Sequence, residues 1–177
     1  MWIGSDGNLY VGDTHWHPDN RAKYRRIKVA FYLDHVTKDT GCLRVIPGSH
    51  RPVLHDDLKE QWPVDDAAES PYGVAGSEIP SYPLESTPGD VVFFNQNLWH
   101  ASYGGRTGRR MFTLNFGAKP TNDNDYEILR TTYNQNIRFV EDMQYTKSDR
   151  IYTDSFLHSE SPRIKSMVKE LLVMGLR

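Results

Sequence analysis

Apolar positions in residues 1–120 fall in short runs broken by Pro, Gly and Asp, the pattern of strands and turns rather than of helices. Residues 8–14 follow the Asp6-Gly7 turn and read as a short strand. Residues 27–36 (IKVAFYLDHV) are rich in β-branched and aromatic side chains and read as a longer one. Residues 43–46 form a third, closed by Pro47-Gly48-Ser49. Residues 79–85 are weaker, and Pro80 and Pro83 place them at a sheet edge. Pro88-Gly89-Asp90 is a turn into the strand that starts at Val91 and carries His100 at its end. Residues 110–117 (RMFTLNFG) form the last strand. Residues 55–77 are polar and read as an irregular excursion. The pattern then changes. Residues 125–143 fit a helix. Ser161-Pro162 is a helix start with Ser at the cap and Pro at the first position. Behind it, Ile164, Val168, Leu171 and Leu172 form an apolar stripe expected to pack on the sheet. The expected organisation is a single domain, with a β core over residues 1–120 and a helical extension over 121–177.

Composition narrows the class. The 177 residues carry 21 Lys+Arg against 23 Asp+Glu, a net charge of −2, which speaks against a general nucleic-acid binder. Hydrophobic residues make up 38% and no apolar run reaches the roughly 20 residues of a membrane span. Cys42 is the one cysteine, so no internal disulfide forms and a cytoplasmic setting is expected. The sequence shows neither a secretory signal pattern at its start nor a Ser-Lys-Leu address at its end.

The chemistry lies in the histidines. His17-Pro18-Asp19 follows the first strand and His100 comes far later. Two imidazoles and a carboxylate are the set that holds a non-haem Fe(II) with open positions. Alternate residues of an extended chain point the same way, so His17 and Asp19 can reach one ion. His15 reads as a supporting or surface residue, and His50 as a turn residue. Trp16 and Trp99 read as packing beside the pocket. The basic run at residues 21–28 reads as a solvated loop, with a grip on an anionic substrate as the second reading.

The blocks Gly41–His50 (GCLRVIPGSH) and residues 89–94 (GDVVFF), leading into Leu98-Trp99-His100-Ala101-Ser102, resemble the phytanoyl-CoA dioxygenase family of Fe(II)/2-oxoglutarate oxygenases. That resemblance implies a mainly β fold, a cupin-like double-stranded β-helix or jelly roll. It implies that His17, Asp19 and His100 are metal ligands and catalytic. It further implies that Arg109 and Ser102 bind 2-oxoglutarate and that the aromatic Phe31 lines the cofactor pocket. Alternation favours Arg109 over Arg110 as the anchor, because residues 109, 111, 113 and 115 read as a polar pocket face and 110, 112, 114 and 116 as an apolar packing face.

The implied reaction consumes O2 and 2-oxoglutarate, releases succinate and CO2, and hydroxylates an unactivated C–H of a small molecule or acyl substrate. The carboxylate of Asp19 favours hydroxylation over halogenation. Two other readings stand beside it: a cupin metalloprotein that does not use 2-oxoglutarate, and a truncated β-helix domain that binds a ligand without turnover. Family members carry a longer region before the His-x-Asp, and an outer sheet face left apolar without it would suit a homo-oligomer. No nucleic-acid or membrane partner is expected.

Overall fold

The computed structural model describes residues 13–20, 24–62, 71–105, 109–142 and 151–176. Seven strands are seen among them: β1 (Thr14–His17), β2 (Arg26–Tyr32), β3 (Leu43–Val45), β4 (Tyr82–Leu84), β5 (Val91–Asn95), β6 (His100–Ser102) and β7 (Met111–Gly117). They form a four-stranded sheet in the order β1-β6-β3-β4 and a three-stranded sheet in the order β5-β2-β7. The chain crosses between the sheets at almost every connection, which is the winding of a double-stranded β-helix. The fold is therefore the jelly-roll core expected from the sequence, with helices after it.

Turn chemistry places the crossings. Gly89 has φ +99°, a value that glycine adopts without strain, with Pro88 before it. The Asp90 carboxylate accepts from the backbone N–H (2.7 Å) and hydroxyl (2.9 Å) of Thr87. This turn aligns β5 antiparallel to β2, with Val91 opposite Phe31 and Asn95 opposite Ile27. β4 is the edge strand its prolines predict.

Several boundaries differ from the sequence reading. Of residues 8–14, positions 8–12 lie outside the described residues, and His17 belongs to β1 rather than following it. β2 stops at Tyr32, and Val36 continues as an isolated bridge to Ser86. The strand from Val91 ends at Asn95. The Asn97 N–H donates to Asn95 Oδ1 (2.9 Å) and the Leu98 N–H to Asn95 O (2.8 Å), so His100 opens a new strand, β6, in the other sheet.

The polar excursion holds a helix, α1 (Pro52–Gln61), with Pro at its first turn. It was missed because few of its residues are buried. His55, Leu58 and, just beyond, Trp62 supply the inner face, while Val53 and Leu54 are exposed. Leu58 and Trp62 pack with Ile79, Trp16, Trp99, Ala101 and Tyr103 into one apolar cluster. Trp16 and Trp99 thus serve the core behind the four-stranded sheet. Of the polar excursion, residues 63–70 lie outside the described residues.

The chain divides into two compact units, with the boundary between Leu114 and Asn115. The second unit holds α2 (Asp123–Asp142), α3 (Asp154–Leu157) and α4 (Pro162–Val173). Val168 and Leu171 of α4 are buried with Tyr152, Leu157 and Leu176, and Ile164 packs against them. Leu172 is exposed, so the stripe is one residue narrower than the periodicity suggested. Tyr126 donates to Glu170 Oε2 (3.0 Å), tying α2 to α4. No helix of the described residues is long and apolar enough to cross a membrane.

Candidate functional site

β1 and β6 pair with a defect. Thr14 lies opposite Ser102 and His17 opposite His100, so β1 holds one residue more than its partner between the two pairs. Such a bulge re-aims side chains. It puts His17 on the face that carries His100. It also takes His15 out of the face that simple alternation would give it: the His15 ring lies 5.9 Å from Tyr103, on the side of Trp16.

Both histidines are held alike. The His17 Nδ1–H donates to the carbonyl of His15 (2.7 Å), and the His100 Nδ1–H donates to that of Leu98 (2.9 Å). A carbonyl only accepts, so each bond fixes the proton on Nδ1 and leaves the Nε2 lone pair facing outward. The two rings stand 4.5 Å apart. Asp19 lies just past β1 and completes the group. Its Oδ1 is 3.9 Å from His17 Nε2, and its Oδ2 is 3.6 Å from His100 Nε2. Ligand atoms of His17, Asp19 and His100 all lie within 4.8 Å of one another. Oδ2 is buried and has no hydrogen-bond partner among the described residues.

The chain on either side is pinned. Asn20 N–H donates to Gln96 O (3.0 Å), and Asn97 Nδ2 donates to Asn20 O (3.0 Å), joining the segment after Asp19 to the turn before His100. Ser49 is fully buried, and its hydroxyl accepts the Trp99 N–H (2.9 Å). His55 Nδ1 donates to Asn97 O (3.0 Å). The Pro-Gly-Ser-His turn therefore supports the site through Ser49, while His50 is exposed.

Electrostatics suits a metal site. Burial alone would raise the Asp19 carboxyl, but Lys28, His100 and His17 outweigh it and bring it down to about 2. Lys28 Nζ sits 2.6 Å from Asp19 Oδ1. His100 is lowered to about 4, chiefly by burial, against the raising effect of Asp19. At neutral pH the group thus offers a carboxylate and an unprotonated His100. Sequence reasoning missed Lys28 at this place.

The two arginines part. The Arg109 guanidinium donates to Gly41 O and to Ser102 Oγ (3.1 Å), and Ser102 Oγ donates to Gly41 O (2.9 Å). Arg110 turns to the surface, with its Nη2 2.7 Å from Asp34 Oδ1. Ser102 shares a face with His100, about 7 Å along the strand at the usual rise. Thr113 and Asn115 are buried, as the polar-face reading requires. Phe112, assigned to the packing face, stays 37% exposed.

Phe31 is not at this site. Lys28, Ala30 and Tyr32 share the inner face of β2, as Lys28 meets Asp19 while Ala30 and Tyr32 pack with Met111 and Cys42. Phe31 points the other way and stacks on Phe112, with ring centroids 4.4 Å apart. The expectation that Phe31 lines the cofactor pocket is corrected on that ground.

Gly41 is the tight point. Its φ is +90°, and an added Cβ would lie 2.8 Å from Gly105 Cα and 3.0 Å from Arg109 Nη1. Gly41→Ala is expected to lower stability by about 1–3 kcal/mol and to displace Arg109. Urea unfolding checks this, and an unchanged midpoint would contradict it.

A family model described as Phytanoyl-CoA dioxygenase matches residues 8–112. A "Probable phytanoyl-CoA dioxygenase" of Caenorhabditis elegans is 35% identical over 79 residues, covering 42% of this chain and 24% of that protein. The chain thus spans about a quarter of the curated relative it matches. Among solved structures, AviO1 from Streptomyces viridochromogenes Tue57 matches at TM-score 0.45 and 23% identity, covering 68% of this chain and 50% of AviO1. EctD from S. alaskensis, with 2-oxoglutarate and 5-hydroxyectoine, matches at TM-score 0.41 and 21% identity, covering 66% of this chain and 42% of EctD.

Proposed function

The chain belongs to the phytanoyl-CoA dioxygenase family, and from that premise we propose that it is an Fe(II)- and 2-oxoglutarate-dependent oxygenase that hydroxylates a C–H of a small-molecule or acyl substrate. The observation that carries this reading is the His17, Asp19, His100 group, with ligand atoms within 4.8 Å. The donor set fits the ion. Two imidazole nitrogens and one carboxylate oxygen suit Fe(II) and leave open positions. Asp19 Oδ2, buried with no donor among the described residues, is the oxygen a cation would satisfy.

In this reading His17 Nε2, His100 Nε2 and Asp19 hold the metal. Arg109 and Ser102 hold the distal carboxylate of 2-oxoglutarate, since a guanidinium grips a carboxylate with two parallel bonds and keeps its charge when buried. When bound, the iron, 2-oxoglutarate and O2 supply the oxidising power, with succinate and CO2 as products. The protein's part is orientation. The Nδ1 bonds fix both imidazoles, Gly41 O fixes Arg109 and Ser102 together, and the spacing along β6 sets the distance between metal and anchor.

The test is an anaerobic titration of the protein with Fe(II) and then 2-oxoglutarate. A visible metal-to-ligand charge-transfer band is expected, and Arg109→Ala is expected to weaken 2-oxoglutarate binding by about 10–100-fold, the range for lost supporting contacts. Iron bound with no band would leave a metalloprotein that does not use 2-oxoglutarate. A band with no succinate formed, with any substrate offered, would leave a ligand-binding domain.

A further inference from the structure

Lys28 is an odd residue for its place. It faces inward from β2, its side chain is 20% exposed, and its Nζ lies 5.9 Å from the Phe94 ring centroid. Sequence alone grouped it with the basic run at residues 21–28 as a solvated loop or a substrate grip. Its ammonium instead bonds Asp19 Oδ1 at 2.6 Å.

The two oxygens of Asp19 therefore stand in different settings. Oδ1 is taken by Lys28. Oδ2 is buried, without a donor among the described residues, and 3.6 Å from His100 Nε2. A cation between the two imidazoles can reach Oδ2 without displacing Lys28, whereas chelation by both oxygens would have to evict a charge-assisted hydrogen bond. We propose that Lys28 is a positioning residue that holds Oδ1 and so limits Asp19 to a single donor atom, Oδ2, at the metal. This inference rests on the proposed metal site. It deepens that reading by explaining how three positions of an octahedral ion stay open. Two imidazoles and one carboxylate oxygen fill three of six; a chelating Asp19 would fill a fourth and leave too few for a chelating 2-oxo acid and O2 together.

The experiment uses Mn(II) alone, with no cosubstrate, and reads the water-proton relaxivity of the bound ion, which scales with its exchangeable waters. Lys28→Met keeps the length of the side chain but removes charge and donor. Asp19 then closes on the ion and displaces one of three waters, so relaxivity is expected to fall by about one third. Lys28→Arg, which keeps charge and donors, is expected to restore the wild-type value. Equal relaxivity in wild type and Lys28→Met, or an Arg variant that behaves like Met, would overturn the proposal. A crystal structure of the unmodified protein with Mn(II) gives the same answer without a variant. One short Mn–Oδ2 bond with Lys28 still on Oδ1 supports it, and Oδ1 on the metal refutes it. Failure of Mn(II) to bind at His17, Asp19 and His100 would overturn this inference and the proposed function together, whereas Mn(II) bound with Asp19 chelating would overturn this inference alone.

Discussion

Asp19→Ala is expected to lower substrate-dependent succinate release by more than about 100-fold, beyond the 10–100-fold that loss of an outer contact costs. The change does three things at once. It removes the anionic member of the His17, Asp19, His100 group, leaving two imidazoles to hold a divalent ion. It removes the buried Oδ2 that nothing else among the described residues satisfies. And it leaves the Lys28 ammonium, 20% exposed, without its 2.6 Å partner and pointing toward where a cation would sit. The last two effects oppose each other in stability, since an unsatisfied oxygen goes while an unpaired charge is created. Catalysis has no such offset, because all three effects weaken metal binding. Asp19→Ala with Lys28→Met separates the terms. The double variant is expected to regain fold stability without regaining turnover. The checks are succinate release, Mn(II) affinity by titration, and urea unfolding on the same preparations. Native-rate turnover in Asp19→Ala would remove Asp19 from the site.

The parts of this site legible in sequence are those whose signal is local. His17 and Asp19 stand at alternate positions, a weak cue alone that the Gly41–His50 and GDVVFF blocks strengthened, and alternation into β7, where Thr113 lies buried, set Arg109 apart from Arg110. Alternation also misled. It predicted that Phe112 would be covered, yet the outer face of the three-stranded sheet leaves Phe112 and Phe93 exposed in the described structure. Phe31 was misplaced for a related reason. The cue was its aromatic character, whereas the face it occupies is set by its neighbours: Lys28, Ala30 and Tyr32 turn inward, so Phe31 cannot. That strand held the missed signal too, because a single lysine at a core-facing register must have a partner. His15 could not be placed without the bulge, as an extra residue in β1 exists only relative to β6. Helix α1 escaped because its inner face is His55, Leu58 and Trp62, three residues of unlike polarity that no simple apolar count joins. The supporting role of Ser49 depends on a contact with Trp99, distant in sequence, and only the fold brings the two together.

The metal-free protein is expected to lose about 2 kcal/mol of stability between pH 7 and pH 5 through His100 alone. Its pKa is lowered from 6.5 to about 4 in the folded chain, mainly because burial disfavours the imidazolium. On unfolding the group returns to its ordinary value. Below pH 6.5 the unfolded chain therefore binds a proton that the folded chain refuses, and stability falls as pH falls. The contribution is complete above 6.5 and is lost as pH drops through about 4, where the cumulative cost is on the order of 3 kcal/mol. Asp19 acts later. Its carboxyl is held at about 2 against an ordinary 3.8, so its share is present above 3.8 and goes only as pH falls through about 2. The window from 6.5 to 4 thus isolates His100 from its carboxylate neighbour. The measurement is urea unfolding of chelator-treated protein at pH 7 and pH 5, beside His100→Gln. The variant cannot take up the proton in either state, so its loss over that interval is expected to be smaller than the wild type's by about 2 kcal/mol. Equal losses in the two proteins would show that His100 is not held neutral by burial. A divalent ion should act on the same window from the other side, because it competes with the proton for Nε2. Saturating Zn(II) is expected to raise wild-type stability more at pH 7 than at pH 5, and to leave His100→Gln less responsive at both.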